Sequence, residues 1–381
     1  MSTPSFIPLS VPNFSGNELK YVTQAMQDGW VSTGGAEITK LEKNIANYLH
    51  IPAAVAVQSG TAGLHLAILQ AGIKPGDEVL VPTLTFIAAV NPVKYCGAEP
   101  VFMDCDDYLC LDVDKVRTFC EKECDCVEGK LINKKSGRKI KAVVAVHIFG
   151  NMVKMTPLIE IAEKYNLKII EDATEALGSY EKSTGRFAGT IGDFGVYSFN
   201  GNKIITTGGG GMVVAKNETD LQHIKHLSTQ AKDDTVYFVH SEIGYNYRMT
   251  NLQAALGLAQ LEQLEKFIQA KHNNYQQYIQ RGISLLPFNP AIRSNQWFYS
   301  FPCTQRDALI QYLTQHCIQS RPIWKLIHTL KPYQNCQTYK IEKAIQYYNK
   351  IVNIPCSTNL TANNITRIAQ TIKEFSLCPK I

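Results

Sequence analysis

The 381-residue sequence lacks the features that would place a protein in a membrane or outside the cell. No apolar run approaches the roughly 20 residues that a helix needs to cross a bilayer, and residues 1–16 carry no basic segment followed by an apolar one, as a secretory signal would. The 11 cysteines are an odd number dispersed along the chain, which is typical of reduced thiols and not of a disulfide scaffold. We therefore expect a cytoplasmic protein with no membrane partner.

The sequence also has no large excess of basic or acidic residues. Lys and Arg total 38 while Asp and Glu total 33, so the formal net charge is only +5. A solvated surface explains such a mixture, and we expect no nucleic-acid partner. Apolar residues at 45% and charged residues at 19% are ordinary for a globular protein with a sizeable core.

One cluster of cysteines, Cys120, Cys124 and Cys126, could be interpreted as metal ligands. A structural zinc site normally needs four ligands, and no second Cys or His pair completes this one, so we predict no metal. The polar run that follows, EGKLINKKSGRKIK at residues 128–141, contains a Ser136-Gly137 turn and predicts a surface hairpin between core elements.

Short apolar runs alternate with helical patterns from about residue 41 to residue 215, which favours an α/β fold with a largely parallel, seven-stranded sheet. Each run is nearly continuous in apolar residues, as expected where helices cover both faces of a sheet. The predicted strands are 54–57, 78–81, 100–102, 142–146, 168–170, 195–199 and 211–215.

The spacing of apolar residues changes near residue 250. Residues 251–268 repeat Leu and Ala at helical spacing and predict one long linking helix. Beyond it, a strand at 296–301 and a helix at 306–319 indicate a smaller α+β part. We therefore predict a large domain over residues 1–250, and the linking helix with a small C-terminal domain over residues 251–381.

A candidate anion site follows the first predicted strand. Ser59, Gly60 and Thr61 come directly before a helical run, where free amides and the positive end of the helix dipole attract a phosphate. Glycine allows close approach, and two hydroxyls can donate further hydrogen bonds. The simpler alternative is that Ser59 or Thr61 only caps the helix.

Two further segments end predicted strands at the edge where open α/β sheets bind ligands. PTLTFIAA at residues 82–89 contains Phe86, which could stack on a planar ring, although a Phe among Ile and Ala is more often a core residue. KIIEDATEALG at residues 168–178 carries Glu171 and Asp172, one of which should face the crevice. A carboxylate there could keep a pyridine nitrogen protonated, or cap the next helix, and the two roles are compatible.

The stretch DFGVYSFNGNKIITTGGGGM at residues 193–212 places Lys203 between a strand and a glycine-rich loop. No acidic residue occurs from residue 194 to residue 217, so the sequence predicts an unpaired, desolvated amine. Burial would depress its pKa and favour a Schiff base with an aldehyde. Ser198 offers one more hydroxyl for a phosphate.

Taken together, these segments resemble the DegT/DnrJ/EryC1/StrS family of sugar aminotransferases, which are fold-type I pyridoxal-phosphate enzymes. The resemblance covers nearly the whole chain. Its motifs are SGTAGLHLAI at 59–68, GDEVLVPTLTFIA at 76–88, EDATEALGS at 171–179, SFNGNKIITTGGGGM at 198–212 and GYNYRMTNLQAALG at 244–257.

The resemblance implies pyridoxal 5′-phosphate as cofactor, with pyridoxamine 5′-phosphate as its alternate form. It implies that Lys203 binds the cofactor aldehyde and that Asp172 pairs with the ring nitrogen. The remaining cofactor contacts that it implies are Phe86 on the ring and Ser59, Gly60, Thr61 and Ser198 at the phosphate. Asn246 would reach the cofactor phosphate of a neighbouring subunit, which implies a homodimer with shared active sites.

The sequence departs from many family members by having SFNGNK and GGGG instead of SFH and GEGG segments. These forms are similar to aminotransferases of the bacillosamine and legionaminic acid pathways, which act at C4 of UDP-4-keto-6-deoxy-N-acetylglucosamine. GNELKYV at 16–22 and SRPIWKLIH at 320–328 resemble the same subgroup. In the latter, Arg321 and His328 could contact the nucleotide sugar or could be ordinary surface side chains. Glu175 stands where relatives often have Gln or His.

The expected reaction is the transfer of an amino group from an amino acid, with glutamate as the expected donor, to a nucleotide-linked keto sugar. A dTDP- or GDP-linked 4-keto-6-deoxy sugar, of the viosamine or perosamine type, is the alternative substrate. A non-catalytic cofactor-binding regulator is the alternative of another class. A dehydratase of this fold would resemble the chain with His in place of Lys203, and a dinucleotide-binding dehydrogenase would need a G-x-G-x-x-G segment that SGTAG does not supply.

Overall fold

The structure is a computed structural model that describes residues 5–234 and 236–377. Helices and strands alternate through the first half of the chain. The helices are α1 (Glu18–Gln27), α2 (Ala36–Leu49), α3 (Gly60–Gln70), α4 (Asn91–Tyr95), α5 (Val113–Lys122), α6 (Met155–Tyr165), α7 (Glu218–Ser228), α8 (Asn251–Leu261), α9 (Leu264–Gln280), α10 (Arg306–Gln315), α11 (Lys343–Lys350) and α12 (Ala362–Leu377). Among the described residues, no helix combines the length and apolar character needed to cross a membrane.

The strands divide between one large sheet and two small ones. They are β1 (Val55–Val57), β2 (Glu78–Pro82), β3 (Glu99–Met103), β4 (Cys124–Val127), β5 (Lys130–Asn133), β6 (Lys139–Val146), β7 (Lys168–Asp172), β8 (Tyr180–Glu181), β9 (Phe194–Ser198), β10 (Gly211–Ala215), β11 (Ile292–Arg293), β12 (Tyr299–Pro302), β13 (Arg321–Pro322), β14 (Thr338–Tyr339) and β15 (Ile351–Ile354).

The large sheet has the order β1-β10-β9-β7-β6-β2-β3-β14. Neighbours from β9 to β14 are parallel, whereas β10 is antiparallel to both β1 and β9. All seven predicted strands are present, so the predicted α/β class is confirmed. The sheet is nevertheless wider than predicted, because β14 joins one edge and a hairpin of β4 and β5 pairs alongside β6.

The hairpin explains the polar run and the cysteines. The turn at Ser136 and Gly137 connects β5 to β6, as predicted, and β4 adds one more strand. Cys120 and Cys124 are buried, whereas Cys126 is exposed. Burial raises the pKa of the Cys120 thiol to about 12, which is the behaviour of an inert core thiol.

The predicted long linking helix is wrong, because it is two helices. The break falls at residues 262–263, between α8 and α9. There the Glu262 carboxylate accepts hydrogen bonds from Asn17 Nδ2 at 2.8 Å and from Tyr21 Oη at 2.5 Å, and so ties the break to α1. Such a contact between distant segments leaves no periodic signal in the sequence.

The part after residue 250 contains the small antiparallel sheet β12-β15-β13. The predicted helix at 306–319 ends at Gln315, and Cys317 follows in the left-handed region at φ 57°. Because β14 from this part pairs with β3, the two parts share a sheet edge. The domain boundary near residue 250 stays a prediction.

The parallel strands position the site because their carboxyl ends share one edge of the sheet. Asp172 is the last residue of β7, Ser198 is the last of β9, and the segment at 83–86 follows β2. Helix α3, which packs on β9 and β10, brings its N-terminus to the same edge. Four separate segments therefore meet there.

Candidate active site

A cavity of about 460 Å³ opens at this edge of the sheet. It collects most of the predicted site residues from distant parts of the chain. Those that line it are Ser59, Gly60, Thr61, Phe86, Asp172, Glu175, Ser198, Lys203 and Arg321. Thr85, Asn200, Asn202, Trp297 and Trp324 also line it and were not predicted.

The N-terminus of α3 forms one end of the cavity. Ser59 caps the helix, since its Oγ accepts a hydrogen bond from the Ala62 N–H at 3.1 Å, so the capping alternative is realised. The backbone at Gly60 passes so close to its neighbours that a Cβ there would lie 2.9 Å from Ser198 Cβ and 3.0 Å from Thr174 Cγ2. Amides, hydroxyls and a close backbone approach together suit a phosphate group.

The two adjacent carboxylates of β7, Glu171 and Asp172, have different surroundings. Glu171 is fully buried away from the cavity, where its carboxylate lies 2.8 Å from His147 Nε2 and accepts the N–H groups of Gly189 and Ile191 at 2.8 and 2.6 Å. Asp172 lines the cavity and accepts the Thr174 N–H at 3.1 Å. Burial raises the pKa of Asp172, so this carboxylate favours a cationic partner that would hold it in its charged form.

Lys203 enters the cavity with its side chain only 13% exposed. The prediction of an unpaired amine is wrong, because Nζ lies 3.6 Å from Glu175 Oε1 and 4.1 Å from the centroid of the Trp297 ring. Both partners lie outside the stretch from residue 194 to residue 217, so the sequence around Lys203 carries no signal of them.

Glu175 is a buried acid beside this lysine. Its Oε2 accepts the Phe149 N–H at 2.9 Å. Burial raises the pKa of Glu175 from its ordinary value of 4.5 to about 7, against the opposing effect of Lys203. The group can therefore hold or release a proton near neutral pH.

This pKa predicts a pH-dependent stability of the cofactor-free protein. The folded-state pKa of Glu175 lies above the ordinary value, so the folded protein holds the Glu175 proton more tightly than the unfolded chain does. The contribution of this protonation to the free energy of unfolding is fully present below about pH 4.5 and is lost as the pH rises through about 7. The loss is at most about 3 kcal/mol. We expect Glu175→Gln to flatten this fall when the free energy of unfolding is measured with urea from pH 5 to pH 8.5.

The exposed Glu128 provides the matched control, because Glu128→Gln should retain the wild-type slope. A Glu175→Gln protein whose stability falls with pH as steeply as the wild type would show that Glu175 does not titrate in this range.

The mouth of the cavity is aromatic and basic. Phe86 is 53% exposed, which excludes the core alternative, and its ring centroid lies 6.4 Å from that of Trp324. Arg321 is also exposed and lines the cavity. Planar faces beside a guanidinium suit a ligand with both rings and phosphates.

Two predicted residues lie elsewhere. His328 does not line the cavity; its Nδ1 lies 2.6 Å from Thr83 Oγ1, and burial lowers its pKa. Its predicted contact with the nucleotide sugar is therefore not supported by the geometry. Asn246 is exposed outside the cavity of its own chain, where it forms a β-bridge with Thr229.

The missed residues Trp297 and Trp324 come from the C-terminal third of the chain. Trp297 follows two polar residues and precedes Phe298, and Trp324 lies between Ile323 and Lys325. Such mixed surroundings do not distinguish a site residue from a core residue. The only available signal for Trp324 was its place beside Arg321 in SRPIWKLIH.

The arrangement can be compared with known proteins. The profile of the DegT/DnrJ/EryC1/StrS aminotransferase family matches residues 12–373. The chain belongs to this family. It is therefore a sugar aminotransferase by family, and its cofactor is pyridoxal 5′-phosphate.

Individual relatives cover nearly the full length. The GDP-perosamine synthase of Escherichia coli O157:H7 is 36% identical over 377 residues, which are 97% of this chain and 98% of that protein. The GDP-perosamine synthase of Caulobacter vibrioides is 35% identical over 379 residues, with 97% and 98% covered. The structure of Spr1654 from Streptococcus pneumoniae in its PLP form has a TM-score of 0.87 at 24% identity and covers 98% of this chain and 99% of that one.

The two sequence relatives correct the predicted subgroup of this chain. Both are named GDP-perosamine synthase and are not the UDP-sugar aminotransferases that the SFNGNK and GGGG segments suggested. The segments resemble that subgroup only locally, whereas the identities above extend over the whole chain.

The residues fit the cofactor of the family. The α3 N-terminus with Gly60 and Ser198 would hold the phosphate, Asp172 would pair with the ring nitrogen, and Lys203 would bind the aldehyde. The raised pKa of Asp172 supports the fit, because a protonated ring nitrogen supplies the cationic partner that this buried carboxylate favours.

Proposed function

We propose that the protein transfers an amino group from glutamate to C4 of a GDP-linked 4-keto-6-deoxy sugar of the perosamine type. The observation that carries the proposal is the placement of Lys203 in a cavity with Asp172, with the α3 N-terminus at one end. The full-length relatives named GDP-perosamine synthase support the choice of sugar.

The cofactor, when bound, accepts the amino group and withdraws electrons from the bond that loses a proton. Asp172 keeps the ring nitrogen protonated by holding a negative charge beside it. The Lys203 amine takes the proton from Cα of the amino donor and, in the second half of the reaction, delivers a proton to C4 of the sugar. Glu175, 3.6 Å from that amine, orients it while it is free.

The mouth of the cavity supplies the contacts for the nucleotide sugar. Arg321 offers a fixed set of donors that matches a diphosphate. Trp324 offers an apolar face for the sugar ring and its C6 methyl group, while Phe86 beside it is proposed to stack on the cofactor ring. This part of the site, and not Lys203, should decide which nucleotide is accepted.

A substrate panel tests the proposal. The holoenzyme is incubated with glutamate and with GDP-, UDP- or dTDP-linked 4-keto-6-deoxy sugars, and formation of 2-oxoglutarate is followed. We expect kcat/KM for the GDP sugar to exceed the others at least about 10-fold, the discrimination that a few lost polar contacts produce.

Preferential turnover of the N-acetylated UDP sugar would contradict the proposed substrate while leaving the aminotransferase intact. Absence of turnover with every sugar and every amino donor would favour the cofactor-binding regulator. Protein from which the cofactor has been removed gives the background rate.

We also propose a homodimer in which Asn246 reaches the site of the partner. The segment around Asn246 exposes large apolar side chains that a monomer would leave in water. They are Val236, Tyr237, Phe238, Val239 and Ile243, each at least half exposed. A second copy of the chain would cover them.

Subunit mixing tests the shared site. Neither a Lys203→Ala homodimer nor an Asn246→Ala homodimer has a complete site, but a mixed dimer has one site with both residues intact. We expect the mixed protein to exceed the mean activity of the two homodimers, and light scattering to give twice the mass of the chain. A monomer in solution, or activity that never exceeds the mean, would contradict a shared site.

A further inference from the structure

Trp297 contacts the amine of Lys203 and the carbonyl of the residue that precedes it. The amine lies 4.1 Å from the ring centroid of Trp297, whose side chain is almost fully buried beside the cavity. At its edge, the indole Nε1–H donates a hydrogen bond to the carbonyl of Asn202, the residue before Lys203, at 2.7 Å. An indole face attracts a cation more strongly than any other aromatic side chain. One ring therefore constrains the backbone and the amine of the same lysine.

Hydrogen bonds connect the backbone of Trp297 to that of Glu175 through Asn295. Its N–H donates to the Phe149 carbonyl at 3.1 Å and to Asn295 Oδ1 at 3.0 Å. Asn295 is fully buried, and its side-chain Nδ2 donates in turn to the backbone carbonyl of Glu175 at 3.0 Å. The two partners of the Lys203 amine are thus tied to each other.

The carbonyl of Trp297 is held by a second buried lysine. Lys271, on α9, is 2% exposed and donates from Nζ to the Trp297 carbonyl at 2.8 Å. Across the described ranges, no carboxylate lies within ion-pair distance of this amine. Burial lowers the pKa of Lys271. Burying an amine without a carboxylate is costly. The hydrogen bond to Trp297 offsets part of this cost, together with the Cys356 thiol and the Tyr299 ring, whose centroid lies 5.9 Å from the amine.

We infer that Trp297 is a positioning residue for Lys203 and that Lys271 fixes Trp297 in the orientation this requires. The inference rests on the proposed function, because it concerns the Lys203 nitrogen both while it is joined to the cofactor and in the part of the reaction in which the amine is free. A four-carbon side chain released from the cofactor has many rotamers, and proton transfer needs the amine at one place. The Trp297 face and Glu175 restrict it to that place.

A purely structural role is the alternative, since Lys271 and Trp297 also join α9 to Phe149 in the segment that follows β6. That role predicts lower stability with unchanged chemistry. Positioning predicts changes in two properties of the folded holoenzyme. These are the pKa of the nitrogen that joins Lys203 to the cofactor, read from the absorbance, and the rate of the single turnover with glutamate alone.

The first test compares Trp297→Phe and Trp297→Leu with the wild type in the absence of any sugar. The ring stabilises the protonated nitrogen, so we expect its pKa to fall by about one unit in Trp297→Leu and by less in Trp297→Phe. We expect the single-turnover rate to fall roughly 10- to 100-fold in Trp297→Leu, with the dissociation constant of glutamate nearly unchanged. Trp297→Phe should recover part of that loss.

The second test compares Lys271→Met with Lys141→Met. Lys141 also donates to a backbone carbonyl, that of Gly72 at 2.7 Å, but far from the cavity. We expect Lys271→Met to slow the single turnover about 10-fold and Lys141→Met to leave it unchanged. If Trp297→Leu does not fold, the absorbance titration of Trp297→Phe decides the matter.

The inference would be overturned if the folded Trp297 and Lys271 variants kept both the wild-type pKa of the cofactor-linked nitrogen and the wild-type single-turnover rate. This holds even if their melting temperatures fall. Failure of the proposed function would give different results. Borohydride would then fix the cofactor on a lysine other than Lys203, or glutamate would not react with the wild-type holoenzyme.

Discussion

Replacement of Lys203 by alanine is expected to lower the rate of amino transfer by roughly 10⁴-fold or more, because one side chain both binds the cofactor and moves the proton in each half of the reaction. The fold should persist, since the Lys203 amine contacts only Glu175 and the Trp297 ring in the described part of the chain. The rate is measured as 2-oxoglutarate formed from glutamate with the preferred sugar.

The same variant separates binding of the cofactor from its attachment. Asp172 and the α3 N-terminus remain, so Lys203→Ala should still bind the cofactor, but borohydride should no longer fix it to the chain. An added small amine such as methylamine should restore part of the rate by replacing the missing base. Lys141→Ala, remote from the cavity, is the control. Retention of a tenth of the wild-type rate in Lys203→Ala would remove this lysine from the chemistry.

The elements that the sequence predicts well are those with a local cause. The seven core strands are short apolar runs bounded by polar residues, and each is present within a few residues of its predicted bounds. Asp172 and Ser198 could be placed at the functional edge because each ends such a strand. Ser59 could be placed because a cap followed by an apolar helix is a local pattern.

The features that were missed all depend on contacts between distant segments. The break between α8 and α9 follows from Glu262 binding α1, and the two-residue strand β14 exists because it pairs with β3. The partners of Lys203 are 28 residues before it, at Glu175, and 94 residues after it, at Trp297. The sequence around Lys203 contains no acid, which is why an unpaired amine was wrongly predicted.

Asp172→Asn is the second variant with a large expected effect. The asparagine keeps the size of the side chain and an oxygen that can accept the Thr174 N–H, so the turn after β7 should be preserved. What it loses is the charge beside the ring nitrogen. Without it the nitrogen is deprotonated more easily and the ring withdraws electrons less strongly. We expect the single turnover with glutamate to slow by roughly 10²- to 10⁴-fold.

A modified cofactor can assign this loss to the ring nitrogen. If the only function of Asp172 is to hold a positive charge there, Asp172→Asn loaded with N-methylated pyridoxal phosphate, whose nitrogen is permanently cationic, should regain much of the lost rate. Glu171→Gln is the matched control, because Glu171 is adjacent in β7 but faces His147 and buried amides. It should reduce the free energy of unfolding while the folded fraction retains its single-turnover rate. If the methylated cofactor gives Asp172→Asn no advantage, the carboxylate acts through something other than the charge of the ring.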